Sequence, residues 1–329
     1  MTSNERFHAV MNFQPVDRLP MIEWACWWDK TIQRWHGEGL PSTCTDRYDL
    51  YRHFGLEMYH QTWVPDYIPE TPWPAHGQPF VRNEQEYEAF RPNLHPWPYA
   101  SDAYWQDLAA RQKRGDTVVW ISLTGPFWFP RQMFGIEPHM LAFYDYPDLM
   151  MRMNEEHLEW HVRILKEMFR HCKPDFMTFA EDMSYNHGPM LSKELFDRFM
   201  APYYRTIVPL LRENGVRIFV DTDGDVTDAV TWFTGVGVEG ILPLERQAGV
   251  DVGLFRQRHP KLLMLGAFDK MTMNKGESVM RAEFERLLPT MRSGGFIPSV
   301  DHQTPPGVSY EQYQTYLKLL REYAVKAAM

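Results

Sequence analysis

Short apolar runs rich in β-branched and aromatic residues alternate along the chain with longer stretches whose apolar residues recur at steps of three and four. That alternation predicts βα units on a parallel sheet. Eight strands are predicted, over residues 18–24, 56–63, 117–124, 176–180, 217–220, 240–244, 262–266 and 296–300. Between them, residues 192–213 show the helical period clearly, with Leu195, Phe196, Phe199, Met200, Tyr203, Ile207 and Leu211 on one face. Asn214-Gly215 then ends that helix, since glycine accepts the left-handed conformation of a helix stop. A last helix over 310–328 closes the chain. The predicted fold is α/β, a (β/α)8 TIM barrel in which 1–329 form a single domain. Residues 64–100 break the pattern: they hold many Pro and Trp and little periodicity, and predict an irregular aromatic-rich insertion near the mouth.

Composition narrows the function. The chain has 329 residues, enough for a sizeable core. A net charge of -9 argues against nucleic acid and against an anionic membrane surface. Cys26, Cys44 and Cys172 are too few and too widely spaced for a disulfide framework or a paired-cysteine zinc site, which points to a reducing, cytoplasmic setting. No stretch is apolar for long enough to span a bilayer. The 12 Trp are many for this length, and Trp24, Trp27, Trp28, Trp63, Trp73 and Trp97 all fall in the first third. They predict an aromatic-walled pocket for a small molecule.

Polar residues come directly after the predicted strands. Trp24 and Cys26 follow the first, Asp66 the second, Glu181-Asp182 the fourth, and Asp221-Thr222-Asp223-Gly224-Asp225 the fifth. Glu245-Arg246, Asp269-Lys270 and Asp301-His302 follow the sixth, seventh and eighth. In a barrel these positions converge on one mouth, where such enzymes act. Clustered carboxylates repel one another and persist only with cations, metals or protons to compensate. Asp225 and Asp269 also suit helix capping, and Glu181-Asp182 suit a structural network with arginine. Asp-x-Asp-Gly-Asp has the start of a calcium loop, but Thr231 and Trp232 stand where its bidentate glutamate would be.

Several stretches resemble the uroporphyrinogen decarboxylase superfamily. They are Glu5-Arg6-Phe7 with Val16-Asp17-Arg18-Leu19-Pro20, Gly125-Pro126-Phe127, and Gly188-Pro189-Met190-Leu191-Ser192 with Pro202-Tyr203-Tyr204. Gly266-Ala267-Phe268-Asp269-Lys270 and the run from Gly295 to His302 complete the set. The resemblance implies a (β/α)8 barrel and one of two chemistries, tetrapyrrole decarboxylation or zinc-dependent methyl transfer between corrinoids and thiols. The decarboxylases have an arginine-rich loop after the first strand; here it reads Trp24-Ala25-Cys26-Trp27-Trp28-Asp29-Lys30. Gln132 stands at the substrate-binding tyrosine position, and His302 at the C-terminal histidine. The methyltransferases carry His-x-Cys-Gly and a late cysteine as zinc ligands. Asp221-Thr222-Asp223-Gly224 and His302 occupy those places, which exchanges thiolate for harder oxygen and imidazole ligands.

The resemblance therefore implies a divalent metal (Zn, with Mn or Fe as alternatives) held by Asp221, Asp223 and His302, with Glu245 as a further ligand or base. Glu181, Asp182, Glu245 and His302 are the candidate catalytic residues. Trp24, Trp27, Trp28, Trp63 and Gln132 are the candidate substrate contacts. Three functions are open: metal-dependent methyl transfer or related chemistry on a small molecule, a metal-free decarboxylase or lyase with a carboxylic acid proton donor, or a non-catalytic binder of a corrinoid or another aromatic ligand. The expected partners are a small-molecule substrate and a corrinoid or corrinoid protein; a homodimer stays open.

Overall fold

A computed structural model of the chain describes residues 1–75 and 78–328. In chain order its strands are β1 (Tyr59–Trp63), β2 (Val118–Thr124), β3 (Phe176–Ala180), the short pair β4 (Ser184–Tyr185) and β5 (Gly188–Pro189), then β6 (Arg217–Asp221), β7 (Gly240–Leu242), β8 (Leu263–Phe268) and β9 (Phe296–Val300). All but β4 and β5 form one curled, seven-stranded parallel sheet in the order β1-β2-β3-β6-β7-β8-β9. Helices cover its outside. With both faces covered, its strands are continuous apolar runs rather than alternating ones; all seven residues of β2 are buried. The hydrophobic core runs from Phe7 in the first helix to Ala327 in the last. Among the described residues no helix is long and apolar enough to cross a membrane.

The sheet is an open barrel rather than a closed one, and this corrects the prediction at its first strand. Residues 18–24 make no ladder. Pro20 has no N–H to give, and only isolated bonds join the segment to the two edges. The Met21 carbonyl accepts from Glu57 N at 2.8 Å on the β1 side. On the β9 side, Trp24 Nε1 donates to the Val300 carbonyl at 2.6 Å and Ser299 Oγ to Glu23 Oε2 at 2.9 Å. Glu23 is thereby buried in the opening, and burial pushes its carboxyl up to about 7.

The other predicted strands are present within a few residues of their expected bounds. The helix expected over 192–213 starts where predicted, with the Ser192 hydroxyl accepting from Leu195 N at 3.2 Å. A π-helical turn at Phe196–Met200 then interrupts it before Ala201–Glu213. The insertion over 64–100 is more ordered than its composition suggested. It holds the helix Glu84–Phe90 and packs Tyr67, Trp73, Phe80 and Phe90 into one aromatic cluster, with Tyr67 and Phe80 stacked at 5.2 Å.

Candidate active site

A cavity of about 470 Å³ opens at the C-terminal ends of the strands. Its wall includes Ala180 and Asp221, the last residues of β3 and β6, paired in register, and Trp63, the last of β1. Because the sheet is parallel, the loops leaving its strands collect at this one end. Asp182, Asp223 and His302 reach the cavity from those loops, and Trp24, Cys26, Arg47, Gln61, Trp128 and Gln303 complete most of the remaining lining.

The acidic side is built on close backbone packing. Glu181 N and Asp182 N both donate to the Asp221 carbonyl, at 2.9 and 3.3 Å, which draws the two loops together. Asp182 has a positive φ of 44°, a conformation that costs free energy for a residue with a side chain and recurs at functional sites. Arg131 Nη1 holds it, 2.7 Å from its carbonyl and 3.5 Å from its carboxylate. Gly224 has a φ of 80°, and a Cβ there would lie 2.8 Å from the Ser184 backbone, so only glycine lets this loop pass β4.

Electrostatics separate the three aspartates. Burial raises the Asp221 carboxyl well above the usual range, and the nearby charges of Asp223 and Asp182 raise it further. Burial, then Asp223, also raises Asp182. Asp223 instead faces His302, with Nε2 and Oδ2 3.5 Å apart, and that contact raises the imidazole pKa. Burial and like charge thus favour the protonated form of Asp221, while the contact with Asp223 favours the charged form of His302. The Arg47 guanidinium, also in the lining, has no carboxylate partner among the described residues. It donates to Tyr51 Oη at 2.9 Å, to Gln61 Oε1 at 2.5 Å and to the Trp24 carbonyl at 2.7 Å.

The expected metal triad does not assemble as a set. Among the described residues, Asp221, Asp223 and His302 are not one of the groups whose ligand atoms lie within 4.8 Å of one another. The same-side argument for Asp221 and Asp223 required a strand through both, but β6 ends at Asp221, leaving Asp223 outside it just before the bend at Gly224. The donor set therefore does not fit a single ion in this arrangement.

Other expected residues lie off the cavity. Glu181 is fully buried behind the wall, accepting from Phe127 N at 2.8 Å, Trp128 N at 3.3 Å and the Tyr204 hydroxyl. Burial pushes its carboxyl up to about 8. Glu245 accepts from Gly224 N at 3.0 Å and sits 3.7 Å from Lys270 Nζ, so it supports the Asp223 loop. Trp27 turns into the core against Trp35, Tyr51, Phe54 and Tyr313, because this large apolar ring gains more from burial there than at a wet mouth. Trp28 and Trp73 are exposed, and Trp97 lies under the Arg163 guanidinium at 3.8 Å. Gln132 accepts from Tyr67 Oη at 3.1 Å and is not part of the lining. Asp66 is buried beside β2, Asp269 caps the turn at Met271, and Asp301 is bound by the Arg246 and Lys270 backbone amides. Of the predicted aromatic wall, Trp24 and Trp63 remain.

Arg47, Gln61 and Trp128 were missed. Arg47 opens a helix after the first loop and carried no motif. Trp128 directly follows Gly125-Pro126-Phe127 and could have been inferred from it.

No curated protein matches the chain. Among solved structures, a methyltransferase from Methanosarcina mazei superposes with a TM-score of 0.66 at 15% identity, covering 98% of this chain and 99% of that one. A B12-independent methionine synthase from Shewanella sp. W3-18-1 reaches a TM-score of 0.45 at 13% identity, covering 71% of this chain and 69% of that one, which is too low to add to the fold assignment. The family model described as uroporphyrinogen decarboxylase (URO-D) matches residues 66–323, from the insertion to the last helix. With the curled parallel sheet and the cavity at its C-terminal end, this places the chain in the uroporphyrinogen decarboxylase family.

Proposed function

We propose that this chain is an enzyme that transfers a methyl group from a small, partly aromatic substrate, with Asp221 as the general acid. The observation that carries the reading is the Asp221 carboxyl at the cavity wall, raised above the ordinary carboxylate range by burial and flanked by Asp182 and by the Asp223–His302 pair. A methyl bound to oxygen or nitrogen leaves only if its former partner is stabilised. The bond to that atom breaks, the electron pair stays there, and the atom takes the Asp221 proton. The methyl passes to an electron-rich acceptor, a reduced corrinoid or a thiolate, and Asp221 recovers its proton from solvent. Trp24 and Trp63 would hold the flat part of the substrate. The methyltransferase likeness supports the fold of this reading, and its chemistry rests on the cavity. Because the three expected ligands do not fit one ion, no step runs through a metal. Three free thiols, Cys26, Cys44 and Cys172, suit a cytoplasmic setting.

The test is methylation of free cob(I)alamin by a panel of methoxylated aromatic acids, read by visible absorbance. Transfer should occur with wild type and fall roughly 10²–10⁴-fold in Asp221→Asn, the usual contribution of a positioned proton donor. No transfer from any donor, or an unaffected variant, removes the reading. A second reading, decarboxylation, is favoured by one observation: among the described residues, the cavity guanidinium of Arg47 has no carboxylate of its own to neutralise it. Release of carbon dioxide from a polycarboxylate, lost in Arg47→Gln, would select it.

A further inference from the structure

Away from the cavity, a second polar cluster is buried in the apolar interior. The helix Pro147–Met168 carries His157 and His161 four residues apart, on one face, next to Asp66 from the segment after β1. All three side chains are buried, and one ligand atom from each lies within 4.8 Å of the other two. His157 Nε2 is 3.6 Å from Asp66 Oδ1. Among the described residues, two buried atoms of the group have no hydrogen-bond partner, Asp66 Oδ1 and His161 Nε2. A buried polar atom without a partner costs free energy that natural interiors seldom leave uncompensated.

The outward atoms of the same three groups are all held. Thr124 Oγ1 donates to Asp66 Oδ2 at 2.6 Å. His161 Nδ1 lies 2.6 Å from the Tyr203 hydroxyl, and His157 Nδ1 lies 3.3 Å from His95 Nε2. Phe129 stacks on the His157 ring at 4.1 Å, which fixes its plane and keeps water away. Metal sites are commonly arranged in this way: the second atom of each imidazole and carboxylate is tied down, so the first points at the ion. Two histidines four residues apart on a helix offer two nitrogens on one side.

We propose that Asp66, His157 and His161 hold a divalent transition metal of the zinc class, in a structural site separate from the cavity. The two-nitrogen, one-oxygen set suits zinc. His157 Nε2 is hydrogen-bonded to the Thr124 carbonyl at 3.2 Å, a bond that the ion would replace. The ion would satisfy the two orphaned atoms, offset the buried Asp66 charge and tie the insertion after β1 to β2 and to the long helix. None of the three residues lines the cavity, so the site does not depend on the methyl-transfer reading.

The test separates the two places. The chain carrying Asp223→Ala and His302→Ala, which removes the cavity pair, is refolded with zinc sulfate, desalted over a mild chelator and analysed for metal. One zinc per chain is expected, and it should be lost on adding Asp66→Asn or His161→Gln. Tyr203→Phe, which leaves all three ligands in place, should weaken zinc roughly 10–100-fold, the effect of removing a group that orients a ligand. Cobalt in place of zinc should give visible absorption bands that the same changes abolish. Should Asp66→Asn fail to fold, the Tyr203→Phe series and the metal content of the parent chain still decide. A parent chain that keeps no zinc, or zinc kept equally in Asp66→Asn or bound equally tightly in Tyr203→Phe, overturns the proposal.

Discussion

Replacing Glu181 with glutamine should stabilise the folded chain, by an amount that grows with pH. Glu181 is fully buried, and the Phe127 and Trp128 amides and the Tyr204 hydroxyl all reach it. Burial is the dominant effect and pushes its carboxyl up to about 8. In the unfolded chain it titrates near ~4.3. Between these values the folded state keeps a proton that the unfolded state has released, so stability falls as pH rises. Each pH unit costs about 1.4 kcal/mol. From pH 5 to pH 8 this one group should therefore cost on the order of 4 kcal/mol, an upper bound given how readily a buried site relaxes. Glutamine has nearly the same shape, accepts from the two amides and cannot titrate. Glu181→Gln and wild type should then have similar urea midpoints near pH 4.5, with the variant pulling ahead toward pH 8. Tryptophan fluorescence reads the transition at each pH. A gap that stays constant, or a variant that falls behind as pH rises, would mean that Glu181 is ionised in the folded protein, and the reasoning from burial would fail.

Gly125→Ala should destabilise the chain by several kcal/mol, because its new Cβ would lie 2.2 Å from the Glu181 carboxyl carbon; urea unfolding measures the loss, and a neutral change would refute the close approach. Asp223→Asn should lower the His302 pKa, since the contact with Asp223 is the main cause of its rise, and NMR titration of the ring protons reads it. The stability from that pair is present below the unfolded histidine value near ~6.5 and is lost as pH rises through the raised folded value. Trp24→Ala and Trp63→Ala should each weaken binding of a flat ligand by about 1 kcal/mol beyond lost area, measured by calorimetry; unchanged affinity in both would remove the aromatic wall.

The sheet was legible in the chain itself. Parallel strands buried on both faces must be short continuous apolar runs, and the runs at 176–180 and 296–300 appear as β3 and β9 with the same bounds. The convergence of Glu181, Asp221, Glu245, Asp269 and His302 at one end comes from that reading alone, since every parallel strand delivers its next residue to the same side. The sequence could not say which of these residues face the cavity. That depends on where each loop turns after its strand: Glu181 goes behind the wall while Asp182, one residue on, enters the cavity through a positive φ. Residues 18–24 have the composition of a strand, but whether they pair is decided by both barrel edges at once, and Pro20 and the buried Glu23 leave them bridging the opening without a ladder. Trp27 and Trp24 look alike in the chain; one packs in the core and one lines the cavity, because three-dimensional neighbours settle which face of an extended segment is inside. The cluster of Asp66, His157 and His161 joins positions about ninety residues apart, and only tertiary packing could bring together a loop and a helix face that share no local pattern.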